Sequence, residues 1–481
     1  MIGSSESGTS VTLDRACAQR WLSTAILSLL LAGIFSLLLV LGRVPYLAQV
    51  FTDPLFFRRC LVVHVNLSLV VWFCAFGAAL FFLIPRSGGG RTVRAANGLA
   101  TLGVVCLMAA AGMSGARPIL SNYVPVIDHK LFLVGFALFG AGLAGAFLDS
   151  RLLATNEAVE GLLPVPSAAR VGLRACAVAM LLALVTFVGG FVGTPKDLVP
   201  EAYYELAFWG GGHVLQVASV AGMLSGWLIL LGGALARPPM RRSTAAVLFG
   251  FLVLPLLVAP SLAARGTILP GYRAAFTRLM EWGIFPVVVV FLFLCGRAIV
   301  LARREGRLPP DGLRDGRLVV FAASALMTLY GFLLGASIRG SNTVVPAHYH
   351  AAVGAVTLVY MALTYPLLEA VGLPVPTASL RRLARWQPPL FAVGQTIFAT
   401  GFALAGATGM LRKTYGAEQQ IRSLTAEIGL VVMGSGGLIA VASGVLFLWI
   451  AFACWRGRER MLVVKKGEMA WQTASTRISG Y

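Results

Sequence analysis

Asn342-Thr343-Val344-Val345-Pro346-Ala347-His348-Tyr349-His350 opens an apolar stretch that runs on to about residue 370. A helix needs about 20 apolar residues to cross a hydrocarbon core of ~30 Å, and this stretch is long enough. Pro346 suits the first turn of a helix, where polar neighbours are common. That does not explain two imidazoles. Residues two apart on a helix are rotated by about 200°, so His348 and His350 point to opposite flanks. They cannot hold one metal ion together, but one helix can serve a separate group on each side.

Working outward, eleven more stretches of this kind appear, near 21–42, 60–84, 97–115, 129–148, 170–193, 204–235, 243–264, 282–302, 317–337, 387–408 and 424–454. Composition agrees. Of 481 residues 58% are hydrophobic and only 12% charged, about half the share in soluble proteins, and mean hydropathy is +0.83. That excludes an ordinary soluble enzyme, a disordered chain and a disulfide scaffold. The 54 glycines suit helices packed closely in lipid. The expected fold class is therefore all-α: a polytopic membrane bundle of about twelve helices. Cys17, Cys60, Cys74, Cys106, Cys176, Cys295 and Cys454 lie mostly in apolar stretches without a zinc or covalent-heme spacing, as buried small hydrophobes.

A net charge of +20 first suggests nucleic acid. Its placement excludes that partner, because the basic residues cluster between apolar stretches, where membrane lipid is the surrounding medium. Arg86, Arg91 and Arg94 follow the second helix, and Arg151, Arg170 and Arg174 surround the loop after the fourth. Arg237, Arg241 and Arg242 follow the sixth, Arg303, Arg304, Arg307 and Arg314 the eighth, and Arg381, Arg382 and Arg385 the tenth. Arg456, Arg458, Arg460, Lys465 and Lys466 follow the twelfth. Every even-numbered helix ends on a basic side, which the positive-inside rule makes cytoplasmic. The expectation is one integral-membrane domain over 1–481, in a bacterial inner membrane with both termini cytoplasmic. Residues 1–20 form the N-terminal segment, 21–454 the bundle, and 455–481 a short, mobile polar tail. The first stretch is too long for a signal-peptide core and reads as a retained helix.

His64, His129, His213, His348 and His350 are the only histidines. Each lies near the start of an even-numbered helix, so all five fall toward the outer leaflet. One alone is as readily a hydrogen bond to a neighbouring helix. Five on one side, with none elsewhere, point to a shared metal or heme layer, because imidazole is the commonest ligand for both.

Residues 342–350 resemble the tenth helix of subunit I in the heme-copper oxygen reductase superfamily, which includes cytochrome oxidases and nitric oxide reductases. The resemblance spans helices two to twelve. It implies that His348 holds a high-spin heme, the catalytic centre, and His350 a low-spin heme. His64, in Val63-His64-Val65-Asn66-Leu67, stands where the family has the second ligand to the low-spin heme. His213, in Trp209-Gly210-Gly211-Gly212-His213, is similar to the sixth-helix ligand of the non-heme metal. Gly409-Met410-Leu411-Arg412-Lys413 is similar to the segment whose basic pair binds heme propionates. Arg412 and Lys413 also lie on the side that the charge rule leaves poor in basic residues, and carboxylates would give them partners.

The pattern breaks at the seventh helix, where the family has adjacent copper-binding histidines. Here Ser243 to Ala264, including Val258-Ala259-Pro260-Ser261, contains no His, Cys, Asp or Glu. Copper normally takes several nitrogen or sulfur ligands, so the expectation is two hemes and substoichiometric copper. Two functions follow. One is an oxidase or nitric oxide reductase subunit that reduces O₂ or NO with electrons from cytochrome c or quinol, together with partner subunits. The other is a non-catalytic diheme protein for electron transfer, gas sensing or assembly. A solute transporter explains the helices but not the histidines. His129 is expected to make a structural hydrogen bond, with Asp128 or a propionate-side network, and Glu281 to complement a helix N-terminus. Thr328, Tyr330, Tyr360, Thr364, Tyr365 and Glu281 are the candidates for proton supply in or near the helices. They make no dense acidic relay, no pumping channel is expected, and back-bonding is the ordinary explanation for helical hydroxyls.

Overall fold

The computed structural model describes residues 3–41, 53, 55–85, 92–121, 124–153, 162–308, 312, 314–412 and 423–478. Among these, twelve helices are long and apolar enough to cross a membrane. In chain order they are α1 (Gly3–Leu41), α2 (Phe56–Phe81), α3 (Thr92–Ala109), α4 (Lys130–Phe147), α5 (Ser167–Gly193), α6 (Pro200–Leu235) and α7 (Arg242–Arg265). There follow α8 (Tyr272–Arg304), α9 (Gly316–Ala336), α10 (Val344–Ala370), α11 (Ala378–Ala407) and α12 (Leu424–Ile478). The protein is a polytopic helical membrane protein. Among the described residues there is also an antiparallel pair, β1 (Arg117–Ile119) with β2 (Val126–Asp128), in register Arg117 opposite Asp128. The chain divides into two compact units, Met1–Phe321 and Ala322–Tyr481.

Within the first unit, α6 and α2 are the most covered helices and α8 is among the least. Trp282, Phe285 and Phe293 on α8 are exposed, which in a membrane means lipid-facing. In the second unit α10 is the covered helix. The histidines of α2, α6 and α10 thus sit on the central helices of their units, where an ionisable group is shielded from lipid.

Lipid tails are as apolar as leucine, so close helix pairs depend on small residues that let backbones meet. α3 and α4 do so at Gly103 and Gly135. A Cβ on Gly103 would lie 2.5 Å from the Phe139 nitrogen and 2.6 Å from the Gly135 carbonyl oxygen. Gly103→Ala should therefore force the pair apart and destabilise the fold by about 1–3 kcal/mol. A lowered thermal midpoint in detergent, with Gly112→Ala (open space around its Cβ) as the control, checks this.

Two arginines tie the loops down. Arg151 is buried, donating to Asp149 (2.7 Å) and the Ile84 carbonyl (3.0 Å), pairing with Asp14 of α1, and lying over the Phe82 ring. Buried charge is tolerated only when paired in this way. Arg59 donates to the Ala111 and Ala116 carbonyls and to Asp53 at 2.5 Å. With the Leu55 N–H, it holds the Asp53 carboxyl below the ordinary carboxylate range. The sign follows: this stabilisation is present above that range and disappears as pH falls through the lowered value. A melting series against pH should show an acid-side loss that Asp53→Asn removes.

Several boundaries differ from expectation. α8 begins at Tyr272, not near 282, and α11 at Ala378, not near 387, because Arg273, Arg278, Arg381 and Arg382 interrupt the apolar pattern without interrupting the helix. α12 continues to Ile478, so residues 455–478 of the tail expected to be mobile are helical. Glu281 lies in the third turn of α8, beyond the reach of the N-terminal dipole, which corrects its expected role. Arg86 and Arg91 of the orientation argument lie outside the described residues.

Candidate functional site

His64 is the ninth residue of α2, and after Val65 the helix widens into a π segment, Asn66–Val71. Such segments occur often at functional positions. Back-bonding secures the helix around it: Ser68 Oγ donates to the His64 carbonyl and Asn66 Nδ2 to that of Val62, both at 2.9 Å. Asn66 Nδ2 also reaches the Pro125 carbonyl (2.8 Å), joining α2 to the segment before β2. The His64 ring has Nδ1 2.8 Å from the Ala32 carbonyl of α1. A carbonyl oxygen only accepts, so Nδ1 carries the proton, and the Nε2 lone pair is presented away from that contact.

His348 repeats this arrangement in the second unit. Its Nδ1 lies 2.7 Å from the Gly331 carbonyl of α9. The ring rests on Gly335, one turn further along, where a Cβ would come within 3.0 Å of Nδ1 and Cε1. Gly331-x-x-x-Gly335 is a small-residue seam that seats the imidazole and fixes its tautomer. Gly335→Ala should displace the ring, and any property that depends on His348 Nε2 should weaken by roughly tenfold. Carbon monoxide difference spectra of the variant measure that.

His350 faces the other way, as the rotation requires. Its ring lies 4.5 Å from Phe398, edge-on, and 6.0 Å from Phe402, stacked, both on α11. One turn of α10 therefore carries an imidazole on its α9 flank and another on its α11 flank.

The start of α10 is pinned to the segment after α11. Asn342 and Leu411 form an antiparallel bridge, the Thr343 N–H donates to the Met410 carbonyl (3.0 Å), and Arg412 Nε donates to Ser341 Oγ (2.9 Å). Sequence positions seventy apart thus meet at the mouth of the two-histidine helix, with Arg412 at that mouth. Lys413 lies outside the described residues.

His213 is buried, with Nδ1 2.7 Å from the Trp209 carbonyl one turn back on α6. Its ring neighbours are Trp209 and Phe276, and Arg273 covers the Trp209 face. The α7 turn at Pro260 packs on Gly189 of α5, where a Cβ would lie 2.7 Å from the Pro260 carbonyl oxygen. Ser261 Oγ donates to the Val258 carbonyl (2.9 Å). In neither unit do three His, Cys, Asp or Glu side chains gather, among the described residues. One imidazole in an aromatic cage does not fit a copper ion.

His129 is the N-cap of α4 and accepts the Leu131 N–H at 3.2 Å. It makes a local hydrogen bond, but not with the expected partner. Asp128 accepts from the Tyr204 hydroxyl instead (2.7 Å). Thr328 and Thr364 donate to the carbonyls of Ser324 and Tyr360, the ordinary back-bonding of helical hydroxyls. Two tyrosines bond to α11 instead: the Tyr330 hydroxyl meets Thr400 Oγ1 (3.0 Å), and that of Tyr365 donates to Gln387 Oε1 (2.8 Å).

The fold is shared with a heme-copper terminal oxidase. A heme-copper terminal oxidase dimer solved by cryo-EM superposes with a TM-score of 0.65 at 16% identity, over 91% of this chain and 84% of that one. At that identity the likeness is one of fold. In sequence the chain is 24% identical to an uncharacterized protein of Rickettsia prowazekii (strain Madrid E), covering 92% of this chain and 96% of the relative. It is 29% identical to an uncharacterized protein of Aquifex aeolicus (strain VF5), covering 73% and 84%. No family model matches.

Sequence reasoning missed the Ala32 carbonyl, the Gly331–Gly335 seat, Ser341 and the π segment. Only two of these leave a trace in sequence: the four-residue glycine spacing, and the polar Asn66 inside an apolar run.

Proposed function

We propose that this chain is a heme-binding membrane oxidoreductase subunit, with a low-spin heme on His64 and a high-spin heme on His348. The carrying observation is the pair of anchored imidazoles, each with Nδ1–H held by a backbone carbonyl from another helix. That donor set fits an axial heme ligand, because the outer hydrogen bond fixes the tautomer and raises the basicity of Nε2. His350, on the opposite flank of α10, is the residue the resemblance gives for the second low-spin position. Hemes held there would supply an electron-carrying iron and an iron that reacts with O₂ or NO.

The remaining work falls to the protein. The Ala32 and Gly331 carbonyls keep each ring from turning. Gly335 makes room for the His348 ring, and Phe398 and Phe402 enclose His350. Arg412, oriented by Ser341, provides a guanidinium for propionate carboxylates at the outer end of α10, with Lys413 beside it in sequence. Cytochrome c or quinol is the electron donor, partner subunits complete the assembly, and the setting is a bacterial inner membrane with both termini in the cytoplasm.

A second reading, a diheme protein that transfers electrons or senses gas without turnover, is favoured by the surroundings of His213. A pyridine hemochrome spectrum with iron and copper quantification tests the first premise. Two hemes and well under one copper per chain are expected; heme-free protein overturns both readings. Oxygen- and nitric-oxide-consumption assays with an artificial reductant then separate turnover from its absence.

A further inference from the structure

The six-residue connection from α6 to α7 is not a slack loop. Ala236 adopts the left-handed region (φ 53°), unlike every other described non-glycine residue, and Arg237-Pro238-Pro239-Met240-Arg241 follows. Two prolines fix φ and stiffen this corner. Against it stand the last three turns of α8, and between them lies a cleft of about 520 Å³, a size usual for small-molecule sites.

The lining has two characters. Leu294, Ala298 and Leu301, spaced for one face of α8, give an apolar wall that runs toward the lipid-exposed Phe293 and Val300. Around the mouth stand Arg237, Arg241, Arg297 and Arg307, against one carboxylate, Glu305. Glu305 pairs with Arg307 at 2.7 Å, and Arg307 also donates to the Leu235 carbonyl, so this pair closes the corner. Arg237, Arg241 and Arg297 have no carboxylate partner among the described residues. Topology alone explains arginines after a helix. It does not explain Arg297, which lies two turns inside α8 and lines the same cleft as the two from the corner.

We propose that this cleft binds the headgroup of an anionic phospholipid. The phosphate meets Arg237, Arg241 and Arg297, and the acyl chains lie along Leu294 and Leu301. Each basic side chain near a membrane surface is worth about 1 kcal/mol toward an anionic lipid, so removing three should weaken binding roughly 100-fold. A free anion would use the same charges but gain nothing from the apolar wall, so the site is committed to lipid.

The test titrates the full-length protein in mild detergent with phosphatidylglycerol and, separately, phosphatidylcholine, counting bound lipid by native mass spectrometry. One tight phosphatidylglycerol adduct is expected. It should be lost in R237Q/R241Q/R297Q and kept in R381Q/R382Q/R385Q, which removes as much charge from another basic stretch. Equal loss in both variants, equal binding of phosphatidylcholine, or displacement by inorganic phosphate would each overturn the proposal. Should the first triple variant fail to insert, Arg297→Gln alone is expected to weaken the adduct about fivefold. Unchanged affinity there sinks the idea as well.

Discussion

Protein carrying His348→Ala is expected to lose carbon monoxide binding almost entirely while keeping a six-coordinate, low-spin spectrum. Removing an outer hydrogen-bond partner from a metal-ligating histidine weakens a site by about 10–100-fold, and removing the ligand itself does at least that. The loss should be specific. His350 lies on the other flank of α10 among Phe398 and Phe402, so deleting the His348 ring leaves that contact set in place. The vacated seat against Gly331 and Gly335 has the shape of an imidazole, and free imidazole in the buffer should restore part of the signal. His350→Ala should do the reverse, sparing carbon monoxide binding and removing the low-spin bands. A wild-type carbon monoxide spectrum from the His348→Ala protein would show that the iron that binds the gas is held elsewhere.

The sequence made the architecture legible because hydrocarbon imposes one simple requirement, a run of apolar residues long enough to cross it. All twelve helices answer to such a run. Their ends do not, because a helix leaving the membrane keeps its hydrogen bonds while its side chains turn polar. Arg273, Arg278 and Glu281 lie in α8, and Arg381, Arg382 and Arg385 in α11, as helical residues that hydropathy discards. The basic residues after Trp455 likewise continue α12. The short pair β1–β2 was not legible either, since three-residue strands carry no periodicity to read.

For the site, the 200° separation of His348 and His350 followed from helix geometry alone, and their contacts with α9 and α11 respect it. What selects the Nδ1–H tautomer at His64 is a backbone carbonyl on α1, thirty-two residues away, and any residue at position 32 would present one. Backbone acceptors leave no mark in side-chain identity. Ser341 is hidden for a related reason: its partner Arg412 comes from a segment seventy-one positions later, and a serine before a helix reads as a turn residue anywhere. The empty seventh helix was legible, because the lack of His, Cys, Asp and Glu from Ser243 to Ala264 is a property of the sequence itself.

His64→Ala is the second large effect, and it separates a heme ligand from a histidine that merely ties α2 to α1. Losing the hydrogen bond to Ala32 would by itself cost about 1 kcal/mol of stability. Losing an axial ligand should instead reduce the low-spin spectrum by tenfold or more and shift the remaining heme to a five-coordinate form. Conservative replacement discriminates further. His64→Gln places an amide that can donate to the Ala32 carbonyl, so it restores much of the tie between helices, yet a glutamine is a poor substitute for imidazole at heme iron. The expected pattern is therefore a thermal midpoint near wild type in His64→Gln, with low-spin bands as weak as in His64→Ala. If both variants keep those bands, His64 serves only the packing of α1 on α2, and the π segment beside it needs another explanation. If the midpoint and the bands fall and recover together, the ring is needed for folding, and His350→Ala becomes the decisive variant for the low-spin heme.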